Sequence, residues 1–176
     1  MSLDYTPQPG SVFAGIDLTH GIIRRNHAGR VNTVDRAMAR RLDPHRRGEI
    51  DAYDYEVLLP RHAATAMRCP LTLVRTYEEQ LLPDQQDLCG ITTVRFAHDL
   101  PHHHAWELGR QFARASLNGR GLAVLMVHHV PSLAGRKHKP HLHLLWPVRV
   151  LVQEFGRFEM PTKAELIAGW QVIGMA

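Results

Sequence analysis

LAVLMVHH at 122–129, the basic link PSLAGRKHKP at 131–140 and HLHLLWPVRV at 141–150 decide the fold. The first segment is apolar almost throughout, the pattern of a strand covered on both faces and therefore central in its sheet. The last reads as a second strand from His141 to Val150, interrupted at Pro147. A parallel pair needs a crossover of a dozen or more residues, usually helical. The 11 residues between His129 and His141 have no helical pattern, so an antiparallel pair is expected and a doubly wound parallel sheet is the weaker alternative.

Upstream, IDAYDYEVLL at 50–59 alternates as a strand, with Ala52, Asp54, Glu56 and Leu58 on one face and Tyr53, Tyr55, Val57 and Leu59 on the other. ITTVRFA at 91–97 is rich in β-branched residues and reads as another strand. Leu73, Val74, Tyr77, Leu81 and Leu82 recur at helical spacing within 72–82. A second helix is expected from Pro101 to about Leu117, with Asn118-Gly119 at its end. Thr33 marks the start of a short basic helix, VDRAMARRL, ending before Asp43-Pro44, and the last residues suggest a helix over 162–170. SVFAGIDL at 11–18 reads as a short strand and 20–30 as a basic loop. The order predicts an α+β fold, a largely antiparallel sheet of about five strands with helices on one face. The expected organisation is a basic N-terminal segment over 1–35, the main domain over 36–155 and a helical tail over 156–176.

The composition, 44% hydrophobic and 22% charged, is that of a globular chain and excludes a disordered one. No apolar run approaches the roughly 18–20 residues of a membrane span, and MSLDYTPQPG has no basic region followed by an apolar core, so a cytoplasmic protein is expected. Cys69 and Cys89 have no CxxC spacing and read as buried or half-buried thiols, a pairing between them being the alternative. Of 21 basic residues, 18 are arginine, eight of them between Arg24 and Arg47. Arginine's planar fork suits phosphate.

Histidine is the outlier, with 13 in the chain. His141 and His143, one residue apart on a strand, share a face about 7 Å apart and converge on one ion if a neighbouring strand supplies a third ligand. His128, near the end of that neighbour, is the expected third, with His129 facing the opposite way. Three neutral imidazoles leave coordination positions open for a water or a phosphate oxygen. The alternative is that His141 and His143 only line a polar sheet face. His102, His103 and His104 point in different directions in a first helical turn and read as surface residues. His138, with Arg136, Lys137 and Lys139, reads as part of a phosphate-facing loop, and Arg40 and Arg41 are further candidates for DNA contact. Asp54 and Glu56 are candidates for a carboxylate that orients a ligating histidine or acts as a base.

EVLLP at 56–60, VRFAHDLPHHHAWELGRQFARASL at 94–117, LMVHH at 125–129 and PHLHLLW at 140–146 together resemble the MobA/MobL family of plasmid relaxases, over roughly 36–155. HLH at 141–143 stands as the family's His-hydrophobic-His motif, His128 as its third histidine and Glu56 as the acid of its strand. The resemblance implies a five-stranded antiparallel sheet with helices and nicking of single-stranded DNA at a transfer origin in a bacterial cytoplasm. It also implies Mg²⁺ or Mn²⁺ held by three histidines, a tyrosine that becomes linked to the 5′-phosphate, and other relaxosome proteins as partners. The family's tyrosine belongs on the N-terminal helix, where this chain has Met38. Tyr5 lies upstream without the family's motif and is the weak candidate nucleophile. Two further readings stand beside the nuclease: a single-stranded DNA binder without a nucleophile, and a structural zinc domain.

Overall fold

The computed structural model describes residues 3–174. Its strands are β1 (Ser11–Phe13), β2 (Ile16–Arg24), β3 (Asn26–His27), β4 (Arg30–Val31), β5 (Ala52–Leu58), β6 (Asp87–Arg95), β7 (Val124–His129), β8 (His141–Pro147), β9 (Arg149–Leu151) and β10 (Phe155–Phe158). The helices are α1 (Val34–Arg46), α2 (Pro70–Glu79), α3 (His102–Phe112) and α4 (Lys163–Gly174). Six strands form one sheet in the order β1-β2-β6-β8-β7-β5, and every neighbouring pair is antiparallel. The expected α+β class and antiparallel β7–β8 pair are both present.

Three details differ from expectation. Helices cover both faces of the sheet, not one. Leu125, Val127, Leu145 and Ile91 pack under α1 and α2 with Met38, Leu42, Leu73 and Tyr77. Met126, Leu142, Leu144 and Trp146 pack under α3 and α4 with Phe112, Leu166 and Trp170. The apolar runs in β7 and β8 already demand cover on two sides. Second, the expected basic loop over 20–30 is largely strand: β2 pairs with β6 from Asp17 to Arg24, and β3–β4 form a hairpin beyond it. Third, α1 runs through Pro44 to Arg46. Thr33 caps its start by accepting from the Arg36 N–H (3.1 Å), and Gly48, at φ +66°, turns the chain just after its end.

Two glycines allow close packing around β8. A Cβ on Gly90 of β6 would lie 2.3 Å from the Trp146 indole, and one on Gly109 of α3 would lie 2.4 Å from Leu142. Gly109 thus brings α3 down onto β8. The thiols of Cys69 and Cys89 are free, the first exposed and the second buried, so neither the half-buried Cys69 nor the pairing holds.

Candidate metal and nucleic-acid site

The β7–β8 register decides which histidines meet. His129 lies opposite His141, and Val127 opposite His143, so these side chains share one face. His128 lies opposite Leu142, whose side chain belongs to the other core. The ring centres of His129, His141 and His143 form a triangle of 5.4, 5.6 and 5.0 Å. His128, expected to complete this group, instead points through the sheet towards α3. His129 takes its place. The dipeptide HH offers one imidazole to each face, and only the pairing register tells them apart.

The triad's chemistry follows from its surroundings. His141 Nδ1 donates to the Lys139 carbonyl at 3.0 Å, which leaves Nε2 with its lone pair free. His143 Nδ1 is bonded to the Thr93 hydroxyl at 2.9 Å. Burial is the main cause that holds all three imidazoles below the ordinary histidine range, and the neighbouring imidazole of His141 adds to it at His129 and His143; His129 is pushed down to about 4. Neutral rings with one nitrogen fixed by a hydrogen bond are the form in which histidine binds metal. Among the described residues, no three His, Cys, Asp or Glu side chains are gathered as a ready-made metal cage.

α1 passes over the triad. Its His45 ring centre lies 5.4 Å from that of His129 and 5.3 Å from that of Tyr55 on β5. Tyr55 shares the triad's face, since it pairs with Val127, which pairs with His143. It is 45% exposed. The other tyrosines lie elsewhere. Tyr5, the weak candidate nucleophile, is buried in the core against Gly21, and Tyr77 is buried with its hydroxyl donating to the Leu88 carbonyl at 2.7 Å. A β-bulge between Ala52 and Asp54 breaks the alternation of β5, so Tyr53 faces α3 while Tyr55 faces α1. Met38, at the position where a tyrosine is expected, is a core residue of α1.

The expected acids do not join the triad. Glu56 pairs with Met126 on the α3 face and forms an ion pair with Arg110 at 3.0 Å; the Asp54 carboxylate accepts from the Tyr55 N–H at 2.7 Å. The carboxylate that acts on the imidazoles is Asp51, 4% exposed, whose charge raises His129 and His141 against the effect of burial. Sequence reading passed over Asp51 because strand alternation sets it on the face opposite Asp54 and Glu56; in the structure it lies just before β5.

Of the expected DNA contacts, Lys137 and Lys139 line a cleft of about 530 Å³ together with His141, His143, Thr93, Arg95, His98 and His138. Arg95 and His98 were not anticipated. Arg136 turns away to pair with Asp51 at 2.9 Å. Arg41 is buried and bonds Asp4 through both terminal nitrogens, and Arg40 lies 3.9 Å from the same carboxylate. These arginines tie α1 to the N-terminal segment, a role that composition does not distinguish from phosphate binding.

The fold and site define an α+β protein whose antiparallel sheet carries three clustered imidazoles beside a basic cleft. No protein-family model matches the chain, and no curated protein matches it either. A solved structure described as the molecular basis of vancomycin resistance transfer in Staphylococcus aureus is similar to it, with a TM-score of 0.59 and 20% identity. That likeness covers 70% of this chain and 68% of the other, and it is one of fold. Among the described residues, no helix is long and apolar enough to cross a membrane.

Proposed function

We propose that the protein is a relaxase-type domain of the MobA/MobL kind. It nicks single-stranded DNA at an origin of transfer with Mg²⁺ or Mn²⁺ at His129, His141 and His143, in the service of plasmid mobilisation. The observation that carries the reading is the convergence of these three neutral imidazoles on one sheet face, beside the cleft of Arg95, Lys137 and Lys139. Three neutral imidazoles on one face would hold a divalent ion and leave positions for water and phosphate oxygens, which Mg²⁺ and Mn²⁺ favour. When bound, the ion polarises the phosphate and stabilises charge growing on its oxygens.

The chain's own residues supply the rest. Lys137, Lys139 and Arg95 hold the backbone phosphates. Tyr55 is the nucleophile, since among the described residues it is the exposed tyrosine on the triad's face. Its oxygen forms a bond to phosphorus as the bond from phosphorus to the 3′ oxygen breaks. The phenol proton passes to His45, and the departing 3′ oxygen takes a proton from water. The products are a 5′-phosphotyrosyl link and a free 3′-OH. His45 stands beside the tyrosine, its ring centre 5.3 Å from that of Tyr55.

One observation favours a second reading, a single-stranded DNA binder that does not cut: Met38 fills the core at the helix position where the family's tyrosine belongs. Incubation with transfer-origin single strands and Mn²⁺, followed by denaturing gels and peptide mapping, separates the two. A covalent adduct on Tyr55, absent in Tyr55→Phe and in His129→Ala, is the expected result. Tight, salt-sensitive binding with no cleavage would leave the binder as the function, and nicking that persists in His129→Ala would overturn the site.

A further inference from the structure

His128, displaced from the triad, occupies a second cluster on the opposite face of the sheet. Its ring is completely buried, and neither ring nitrogen has a hydrogen-bond partner. Nδ1 of His102, in the first turn of α3, is likewise buried and without one. A buried polar atom left unpaired is costly, and native structures normally pair it with protein, water or an ion. Three such nitrogens on two neighbouring rings, set almost perpendicular, mark a place where a partner belongs.

The geometry names its chemistry. The His102 and His128 ring centres are 6.2 Å apart. An ion about 2.1 Å from each nitrogen separates two imidazole centres by roughly 6 Å when they approach from nearly opposite sides. The Tyr53 ring stands T-shaped to both, 5.8 Å from His102 and 5.0 Å from His128. Trp106, one turn along α3 from His102, lies almost parallel to the His128 ring at 6.1 Å. Access is from the sheet edge, because β5 is the outermost strand and Tyr53 on it is 42% exposed. Imidazole nitrogen suits Zn²⁺, Ni²⁺ and Cu²⁺, whereas Mg²⁺ and Mn²⁺ prefer oxygen. We infer that His102 and His128, with Tyr53 beside them, form a second site for a nitrogen-seeking divalent cation, separate from the His129–His141–His143 group. His103 and His104, turned outwards in the same helical turn, take no part.

Titration of the full chain with Ni²⁺ at micromolar concentration tests this, read by equilibrium dialysis and by quenching of Trp106 fluorescence. His102→Ala, a change at a partly exposed helix start, should remove one equivalent of Ni²⁺ and at least tenfold of the quenching. The His141→Ala/His143→Ala double variant should keep both that equivalent and the quenching, and so should His103→Ala/His104→Ala. Trp106→Phe should bind the same equivalent without the optical signal. If His102→Ala retains its full Ni²⁺ complement, or if the double variant binds none, the second site does not exist. Neither result bears on whether the triad holds Mn²⁺, so the two sites fail separately.

Discussion

Replacing His128 with leucine should make the protein more tolerant of acid, by an amount the structure sets. The imidazole is fully buried and pushed down to about 3, chiefly by burial, with neighbouring imidazoles adding to it. In the unfolded chain it returns to about 6.5. The folded value lies below the unfolded one, so the unfolded state binds the proton more readily. Stability is therefore whole above pH 6.5 and drains away as the pH falls towards 3. One pKa unit corresponds to about 1.4 kcal/mol, so by pH 5 this side chain alone costs about 2 kcal/mol relative to pH 7. Leucine removes that term. It also removes two unpartnered ring nitrogens, which should stabilise the protein at pH 7 by about 1–3 kcal/mol. Urea unfolding followed by circular dichroism at pH 7, 6 and 5, with EDTA to remove metal, measures both effects. His129, pushed down to about 4, remains in both proteins, so the wild-type loss should exceed the variant loss by about 2 kcal/mol while neither slope vanishes. Parallel stability–pH curves for the two proteins would refute the reasoning, because they would mean that His128 already has a protonated or solvated form in the fold.

Other consequences can be measured on single variants. His129→Ala should weaken Mn²⁺ binding at least tenfold by calorimetry, whereas Glu56→Gln, on the far face, should leave the Mn²⁺ isotherm unchanged. Lys137→Ala with Lys139→Ala should lower affinity for a random single-stranded oligonucleotide and reduce the slope of log K against log salt by about 1.4. Arg41→Ala should leave that slope alone and instead destabilise the fold by about 3 kcal/mol, because it leaves the buried Asp4 carboxylate with Arg40 at 3.9 Å in place of its two-nitrogen partner. Gly90→Ala should cost about 1–3 kcal/mol and alter the near-UV signal of Trp146, since the new Cβ meets the indole.

Much of the architecture was legible because it rests on local rules. The short link between His129 and His141, which holds one 3₁₀ turn and no crossover helix, favours an antiparallel pair, and β7 and β8 do pair that way. The Thr33 start of α1 follows from side-chain capping, which needs only neighbouring residues. Where expectation failed, the deciding contact was distant. His20 and Arg24 read as loop because polar residues interrupt the pattern, yet His20 is buried, stacked 5.8 Å from Trp146 and bonded to Thr92 at 3.1 Å. Pro44 stayed inside α1 because the turn that would have ended the helix was supplied four residues later by Gly48.

The site divides along the same line. His141 and His143 share a face by the two-residue period of a strand, which holds because β8 pairs there without a bulge. Whether His128 or His129 joins them depends on register, and a slip of one residue exchanges the two. The apolar run before the pair does not resolve this, because a strand buried on both faces accepts hydrophobic residues at every position. The bulge in β5 has the same effect on the tyrosines: without the extra residue, Tyr53 and Tyr55 would face one way, and with it they serve opposite faces. One misplaced residue in β7 would therefore exchange His128 with His129, and removal of the extra residue in β5 would put both tyrosines on one face. The sheet keeps a trio beside the basic cleft and a pair beneath α3 because β5, β7 and β8 hold their registers together, with Ala52, His129 and His141 in a single row across them.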